Sequence, residues 1–371
     1  MRKLICLFGK LCFKFVKKQV TGEIKNIAII KSGAIGDILM TTPLVRALRK
    51  AYPDAKITYI VGEKFVGILK GNKSIDEIIP FDTKKLFDSG FFEKISHFRQ
   101  FARLLRGRFD TCFVLDKSYL AGLFAYWCKI PRRIGFDRSG EGFANTDNIK
   151  YRDVKHEIEY YLDLLKPIDT EQDGVKMELA INKNNIKFAD SFFEENNIRR
   201  GAIIGIAPAV TKDPGKMKSP RAWPVRNYIE LVQRLIEIYK TKIIFFGSKD
   251  DAETIDTIQS KITKNAYNSA GLTTVKQAAA LIKKCDIFVT HDCGLMHVAA
   301  AMGVPVISIF GPTDPRRKAP INKGSAYLWK DSKKCEKCEI YGKFPYCNKH
   351  VGTDLIDVRD VLEQVDNIIN G

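Results

Sequence analysis

No stretch of this chain is apolar for long enough to span a bilayer, so a channel or a membrane-embedded enzyme is not expected. The N-terminus is apolar in part but lacks a small-residue cleavage site behind its apolar segment, which argues against export. Cysteines stand at 6, 12, 112, 128, 285, 293, 335, 338 and 347. That odd, scattered set does not build a secreted disulfide framework, and a cytoplasmic protein is expected. Acidic residues are in deficit, 43 against 61 Lys+Arg, and the resulting charge of +18 calls for an anionic partner. Nucleic acid is not the expected one, because no recognisable binding module or aromatic-basic stacking motif accompanies the charge. No D-x-D triplet occurs, so a divalent metal clamped on a diphosphate lacks its usual carboxylates.

What is present begins with a leader, residues 1–20, in which Lys3, Lys10, Lys14 and Lys17 fall on one helical face. Leu4, Ile5, Leu7, Phe8, Leu11, Phe13, Phe15 and Val16 occupy the rest of the wheel. A basic stripe on an apolar helix without acidic residues is the pattern of an in-plane helix on an anionic membrane surface. A signal-like leader and a helix docked on the protein body are the alternatives.

At 371 residues and 45% hydrophobic content the chain is long enough for two packed cores. Short β-branched runs alternate with longer amphipathic ones, the rhythm of a parallel sheet covered by helices. Strands are expected at 26–30, 56–61, 77–80 and 111–115, then at 202–207, 242–246, 286–289 and 304–310. A polar, turn-rich segment after Pro167 separates the sets. The expected layout is an α/β N-terminal domain over 21–168 and a second over 169–356. A final helix, 357–371, is a candidate to pack back on the N-terminal domain.

Two glycine turns carry the chemistry. Lys31-Ser32-Gly33-Ala34-Ile35-Gly36-Asp37 follows the first strand, and Thr290-His291-Asp292-Cys293-Gly294-Leu295-Met296-His297 follows a strand of the second half. Each reads as strand, tight turn and helix, which aims free backbone N–H groups and a helix dipole at an anion. Each also holds an aspartate, which a phosphate loop does not need and acid–base chemistry does.

These turns, with Thr41 and Pro43, with Arg221-Ala222-Trp223-Pro224, with Gly247-Ser248 and with Phe310-Gly311-Pro312-Thr313-Asp314-Pro315, resemble glycosyltransferase family 9, the lipopolysaccharide heptosyltransferases. The resemblance runs through nearly the whole chain after the leader. It implies a GT-B fold, two doubly wound Rossmann-like domains facing a central cleft. The implied activity is metal-independent, inverting transfer of a heptose from a nucleotide-activated donor such as ADP-heptose to a lipid-linked core oligosaccharide, at the inner face of the cytoplasmic membrane. Another sugar moved to a surface glycan, or nucleotide-sugar binding without turnover, are the alternatives.

By the same resemblance Asp37, the aspartate of the family's G-D motif, is the expected catalytic base; its other reading is a first-turn aspartate that stabilises the helix. Gly33, Gly36 and Thr41 shape its loop. The donor is expected on Thr211, Lys212, Arg221, Asp251, Asp292, Cys293, Gly294 and Leu295. Arg221 stands where the family commonly has lysine, and Cys293 where it has serine or threonine. Lys216 and Lys218 share the basic loop. Asp251 is expected at the ribose hydroxyls, or alternatively at a helix N-terminus. Asp292 is expected to order the loop or touch the donor sugar, since it would repel phosphate, and His297 to pack behind the loop. Acceptor contacts are expected on N-terminal loops such as that at Arg132-Arg133.

No cofactor is required by this reading. Cys335-x-x-Cys338 with Cys347-x-x-His350 has the ligand types of a small structural zinc site, with reduced thiols in an exposed loop as the other reading.

Overall fold

A computed structural model describes Cys6, Gly9 and residues 22–83, 90–199, 201–208, 221–330 and 352–370. The chain divides into two compact units, Met1–Met177 and Glu178–Gly371.

The first unit is built on a parallel sheet of β1 (Asn26–Lys31), β2 (Lys56–Gly62), β3 (Glu77–Phe81), β4 (Thr111–Val114), β5 (Arg132–Asp137) and β6 (Asp147–Lys150), in the order β3-β2-β1-β4-β5-β6. Ile27, Ala28 and Ile29 of β1 are fully buried, as expected for a central strand covered on both faces. The helices that matter below are α1 (Ile35–Leu39), α2 (Thr42–Ala51), α3 (Phe91–Leu104), α4 (Tyr119–Trp127) and α5 (Glu157–Asp163). The polar segment after Pro167 is tied to this unit by α2. Arg46 donates from Nε to Asp173 Oδ2 at 3.1 Å and from Nη2 and Nη1 to the carbonyls of Asp173 and Lys176, each at 2.7 Å, and Lys50 reaches Asp173 Oδ1 at 2.6 Å.

The second unit repeats the plan with β7 (Ile203–Ala207), β8 (Lys242–Phe245), β9 (Ala266–Asn268), β10 (Ile287–His291), β11 (Val306–Phe310) and β12 (Ala326–Trp329), in the order β12-β11-β10-β7-β8-β9. It carries α6 (Val225–Tyr239), α7 (Gly294–Ala301) and the terminal α8 (Val358–Asn370). Val358, Val361, Leu362 and Val365 of α8 share one core with Leu231 and Leu235 of α6, so the apolar stripe of this last helix packs into the second unit.

In both sheets the strand order reverses next to the first strand of the unit, between β1 and β4 and between β7 and β10. Such switch points, at the carboxyl ends of the strands, are where doubly wound sheets bind ligands. Asp37 follows β1, and the second glycine turn follows β10.

The alternation in the sequence locates eight of these strands and misses β5, β6, β9 and β12. Arg132 and Arg133, expected in an acceptor-binding loop, open β5 instead. Arg133 is 5% exposed and its guanidinium is turned inward, donating to the carbonyls of Ala144 (2.7 Å), Ile130 (2.6 Å) and Pro131 (3.0 Å). A buried side chain satisfied by three backbone carbonyls is a structural clamp, so for Arg133 that expectation is corrected.

Candidate functional site

In the first unit the chain leaves β1 through a turn too crowded for side chains. A Cβ on Gly33 would lie 2.4 Å from the Phe65 ring, and one on Gly62 would lie 2.6 Å from the Ser32 carbonyl oxygen, which accepts the Gly62 N–H at 3.2 Å. The turn feeds α1, whose N-terminus has no side-chain cap. Asp37 sits in its first turn, with Oδ2 3.4 Å from Lys31 Nζ. The loop is braced from behind by Thr41, which donates to the Ile38 carbonyl at 2.7 Å and shares a 2.9 Å hydrogen bond with the buried Tyr59 hydroxyl.

Lys31 is the hub. Its ammonium also meets Asp116 Oδ1 at 3.0 Å, and the other oxygen of Asp116 accepts the Ser32 N–H at 2.8 Å. Asp116 follows β4, so the two aspartates come from the two strands that flank the switch point. Burial pulls the Lys31 pKa down, but Tyr161, Asp116 and Asp37 outweigh it and hold it well above its ordinary value. Lys31 therefore stays a cation between two carboxylates. Next to it Lys117 bonds Glu157, which also accepts from the Tyr151 hydroxyl, and the Lys117 ammonium lies 4.2 Å from the Tyr151 ring centroid. Here burial wins for the lysine, whose pKa is lowered. For Glu157 burial raises the pKa, but Lys117 and Tyr151 overcome it and the net shift is downward.

In the second unit Cys293 is the N-cap of α7, in extended conformation with φ −147° and no side-chain cap. Burial pushes its thiol pKa up, against Thr290 and the amides of Met296 and Leu295, so it remains neutral and does not compete with an anion at the helix start. Its Sγ lies 3.3 Å from Thr290 Oγ1. Asp292 is buried beside it. Burial alone would raise its pKa; Lys318, Arg221, His297 and the nearby Thr313 hydroxyl outweigh that and hold it below the usual carboxylate range. Arg221 reaches Asp292 twice, donating to its carbonyl at 3.4 Å and pairing with Oδ2 at 3.7 Å. The Arg221 segment is itself pinned, by Trp223 Nε1 on the Ile356 carbonyl at 2.9 Å and by Thr353 Oγ1 on the Ala222 carbonyl at 2.8 Å. The arrangement offers a cation and a helix N-terminus without an ionised cap to one ligand.

Arg221, Asp292, Cys293, Gly294, Leu295 and the buried His297 thus fall together, as do Asp37, Gly33, Gly36 and Thr41 in the other unit. Asp251 stands apart, in the 3-10 turn Lys249–Asp251 that follows β8, where Oδ2 accepts from the Ser248 N–H (2.7 Å) and hydroxyl (2.6 Å) in a capping box. Its second oxygen is buried without a hydrogen-bond partner. Thr211, Lys212, Lys216, Lys218 and the set Cys335, Cys338, Cys347 and His350 lie outside the described residues. Among the described residues no cluster of His, Cys, Asp or Glu could hold a metal ion. Of the leader, Cys6 and Gly9 are described; both are buried and helical, and Gly9 lies against the Phe143 ring.

Sequence reasoning gave no role of their own to Lys31 and Thr313, which stand in its motifs, and missed Asp116, Lys117 and Glu157 in the first unit and Lys318 in the second. For Lys31 and Asp116 a signal was available, because a charged residue directly at the carboxyl end of an otherwise apolar strand faces the ligand side of a parallel sheet.

Comparison with known proteins bears on this geometry. Residues 98–344 match the family described as glycosyltransferase family 9 (heptosyltransferase). The chain is 27% identical over 352 residues, 92% of its length and 96% of the relative's, to a lipopolysaccharide core heptosyltransferase of Haemophilus influenzae. A solved family 9 glycosyltransferase from Veillonella parvula superposes with a TM-score of 0.77 at 22% identity, covering 93% of this chain and 97% of that one. The ADP-heptose lipopolysaccharide heptosyltransferase II of E. coli does so with a TM-score of 0.71 at 23% identity, covering 94% and 99%. The two parallel six-stranded sheets are those of the GT-B class.

Proposed function

The chain belongs to glycosyltransferase family 9, and from that premise we propose that it moves a heptose from ADP-heptose to the core of a lipopolysaccharide acceptor, with inversion and without a metal. The observation that carries this reading is Asp37, a carboxylate at the switch point of the first sheet with a buried, protonated Lys31 beside it. In the proposed reaction the acceptor hydroxyl bonds to the anomeric carbon as the bond from that carbon to the diphosphate oxygen breaks. Asp37 takes the hydroxyl proton. Lys31 and Asp116 hold Asp37 in place, since the ammonium bridges both carboxylates.

The second unit receives the donor. As negative charge grows on the departing ADP, Arg221 and the amides at the start of α7 meet it, with Thr211 and Lys212 in support. Asp292 fixes Arg221 and the turn, and its buried negative charge keeps phosphate off its own position. The unpartnered Asp251 oxygen is the atom offered to a ribose hydroxyl.

The place of action in this reading is the cytoplasmic face of the inner membrane, supported by the lipid-linked acceptor, the +18 charge and the basic stripe of the leader. No described helix is long and apolar enough to cross a membrane. The test is mass spectrometry of the core oligosaccharide from cells with and without this protein. Loss of one heptose supports the proposal; loss of a different sugar favours transfer to another glycan, and an unchanged core contradicts it.

A further inference from the structure

A cavity of about 590 Å³ opens in the first unit between α3, α4 and the carboxyl ends of the strands, within the size range of small-ligand sites. Its wall is formed largely by Phe81, Phe98, Phe101, Phe124, Leu104 and Leu120. Phe101 and Phe98 pack on Phe124 with ring centroids 5.5 and 5.6 Å apart, yet Phe81, Phe98 and Phe101 stay only partly buried. At the strand ends the lining turns polar, with Ser32, Asp116, Lys117 and Arg138; Asp82, His97 and Gln100 add polar groups elsewhere. Ser32 and Asp116 are the two residues bonded to each other beside Lys31. The cavity therefore shares Asp116 with the proposed catalytic constellation, while Lys31 and Asp37 lie outside its lining.

A second observation lies on the outside of the same helix. Leu104, a wall residue, is 73% exposed, and Phe92 one helix length away is 83% exposed. Arg99, Arg103 and Arg106 are exposed alongside them. Large, mostly exposed apolar side chains among arginines are the pattern of a surface that meets anionic lipid.

We propose that this cavity takes an acyl chain of an anionic lipid-linked acceptor, leaving the polar end of that chain at Ser32 and Asp116. The inference rests on the reading that the acceptor is lipid-linked. A sugar buried against six apolar side chains would lose hydrogen bonds to water without replacement, whereas a hydrocarbon chain has none to lose. The partly exposed rings are covered when the chain enters.

The experiment uses the full chain and two variants, Ala121→Phe, which fills the cavity from α4, and Leu104→Asp, which puts a charge on its exposed wall without touching the core. The first readout is binding of a conjugated polyene fatty acid whose fluorescence rises in apolar surroundings. The second is kcat/KM on acylated and on deacylated acceptor. Saturable binding by wild type, weakened about tenfold or more in both variants, is expected. So is a preference for acylated acceptor, carried by KM, that disappears in the variants while kcat on deacylated acceptor stays unchanged. Absent binding, or variants that bind and prefer as wild type does, overturns the proposal. Probe binding with no transfer to either acceptor overturns instead the reading of the acceptor, and with it the assignment of the chain to that acceptor.

Discussion

Arg221 binds both the carbonyl and the carboxylate of Asp292, so its guanidinium is already oriented before any ligand arrives. That orientation favours Arg221 over a mobile surface lysine as the partner of a diphosphate, because less side-chain entropy remains to be lost. Arg221→Ala removes one charge-assisted contact, worth about 1.5 to 3 kcal/mol. Calorimetry with ADP is expected to show affinity falling by about one to two orders of magnitude, with transfer slowing in parallel because the contact is made in ground and transition states alike. An unchanged dissociation constant would move the role to Lys212 or Lys218. The sequence shows that an arginine stands before Trp223 but not that Asp292, 71 residues on, is what aims it.

Among the strands β10 has the most at stake, because it ends in a buried histidine directly before the donor turn. Burial pulls the His291 imidazole down to about 4 from its ordinary 6.5; the Tyr228 hydroxyl lies 3.5 Å from Nδ1. Between those values the unfolded chain binds a proton that the folded chain refuses, so stability present above pH 6.5 is lost as the pH falls toward 4. The loss from this group alone is at most about 3 kcal/mol. Unfolding by urea at pH 7.5 and at pH 4.5 is expected to show a smaller drop for His291→Asn than for wild type, by about 2 kcal/mol. Equal drops would mean that His291 titrates normally in the folded chain. At this scale the central strands were legible, since runs such as Ile27–Ile30 and Ile287–Val289 are apolar on both faces. β6, β9 and β12 were not, because at the sheet edge they are short and only partly buried. β5 hid for another reason, its two arginines reading as surface loop although one is sealed inside. The Lys31–Asp116 pair was equally hidden. Its members are 85 residues apart and meet only because β4 inserts beside β1.

For the whole molecule the proposed reading gives the excess of 18 positive charges two separable outlets, the anionic substrates and a lipid surface. If the leader supplies the second, deleting residues 1–18 abolishes flotation with anionic liposomes while transfer to a soluble, delipidated acceptor hardly changes; each lysine near such a surface contributes about 1 kcal/mol. The burial of Cys6 and Gly9 sets the contrary outcome: a truncated protein that still floats, or that loses activity on the soluble acceptor, would make the leader part of the folded body. The resemblance to one family was legible from five short motifs, whereas the cationic and acidic partners that hold them came only with the fold. The central claim is that Asp37 draws the proton from a lipopolysaccharide acceptor as heptose leaves ADP. Its most direct measurement is transfer by purified protein from ADP-heptose to a defined core acceptor in the presence of chelator, read by the mass added to the acceptor, for wild type and Asp37→Asn. Wild type is expected to add one heptose with chelator present, and the variant to lose about 100- to 10,000-fold in rate while binding ADP as before. A variant that keeps more than about a tenth of the rate would contradict the claim.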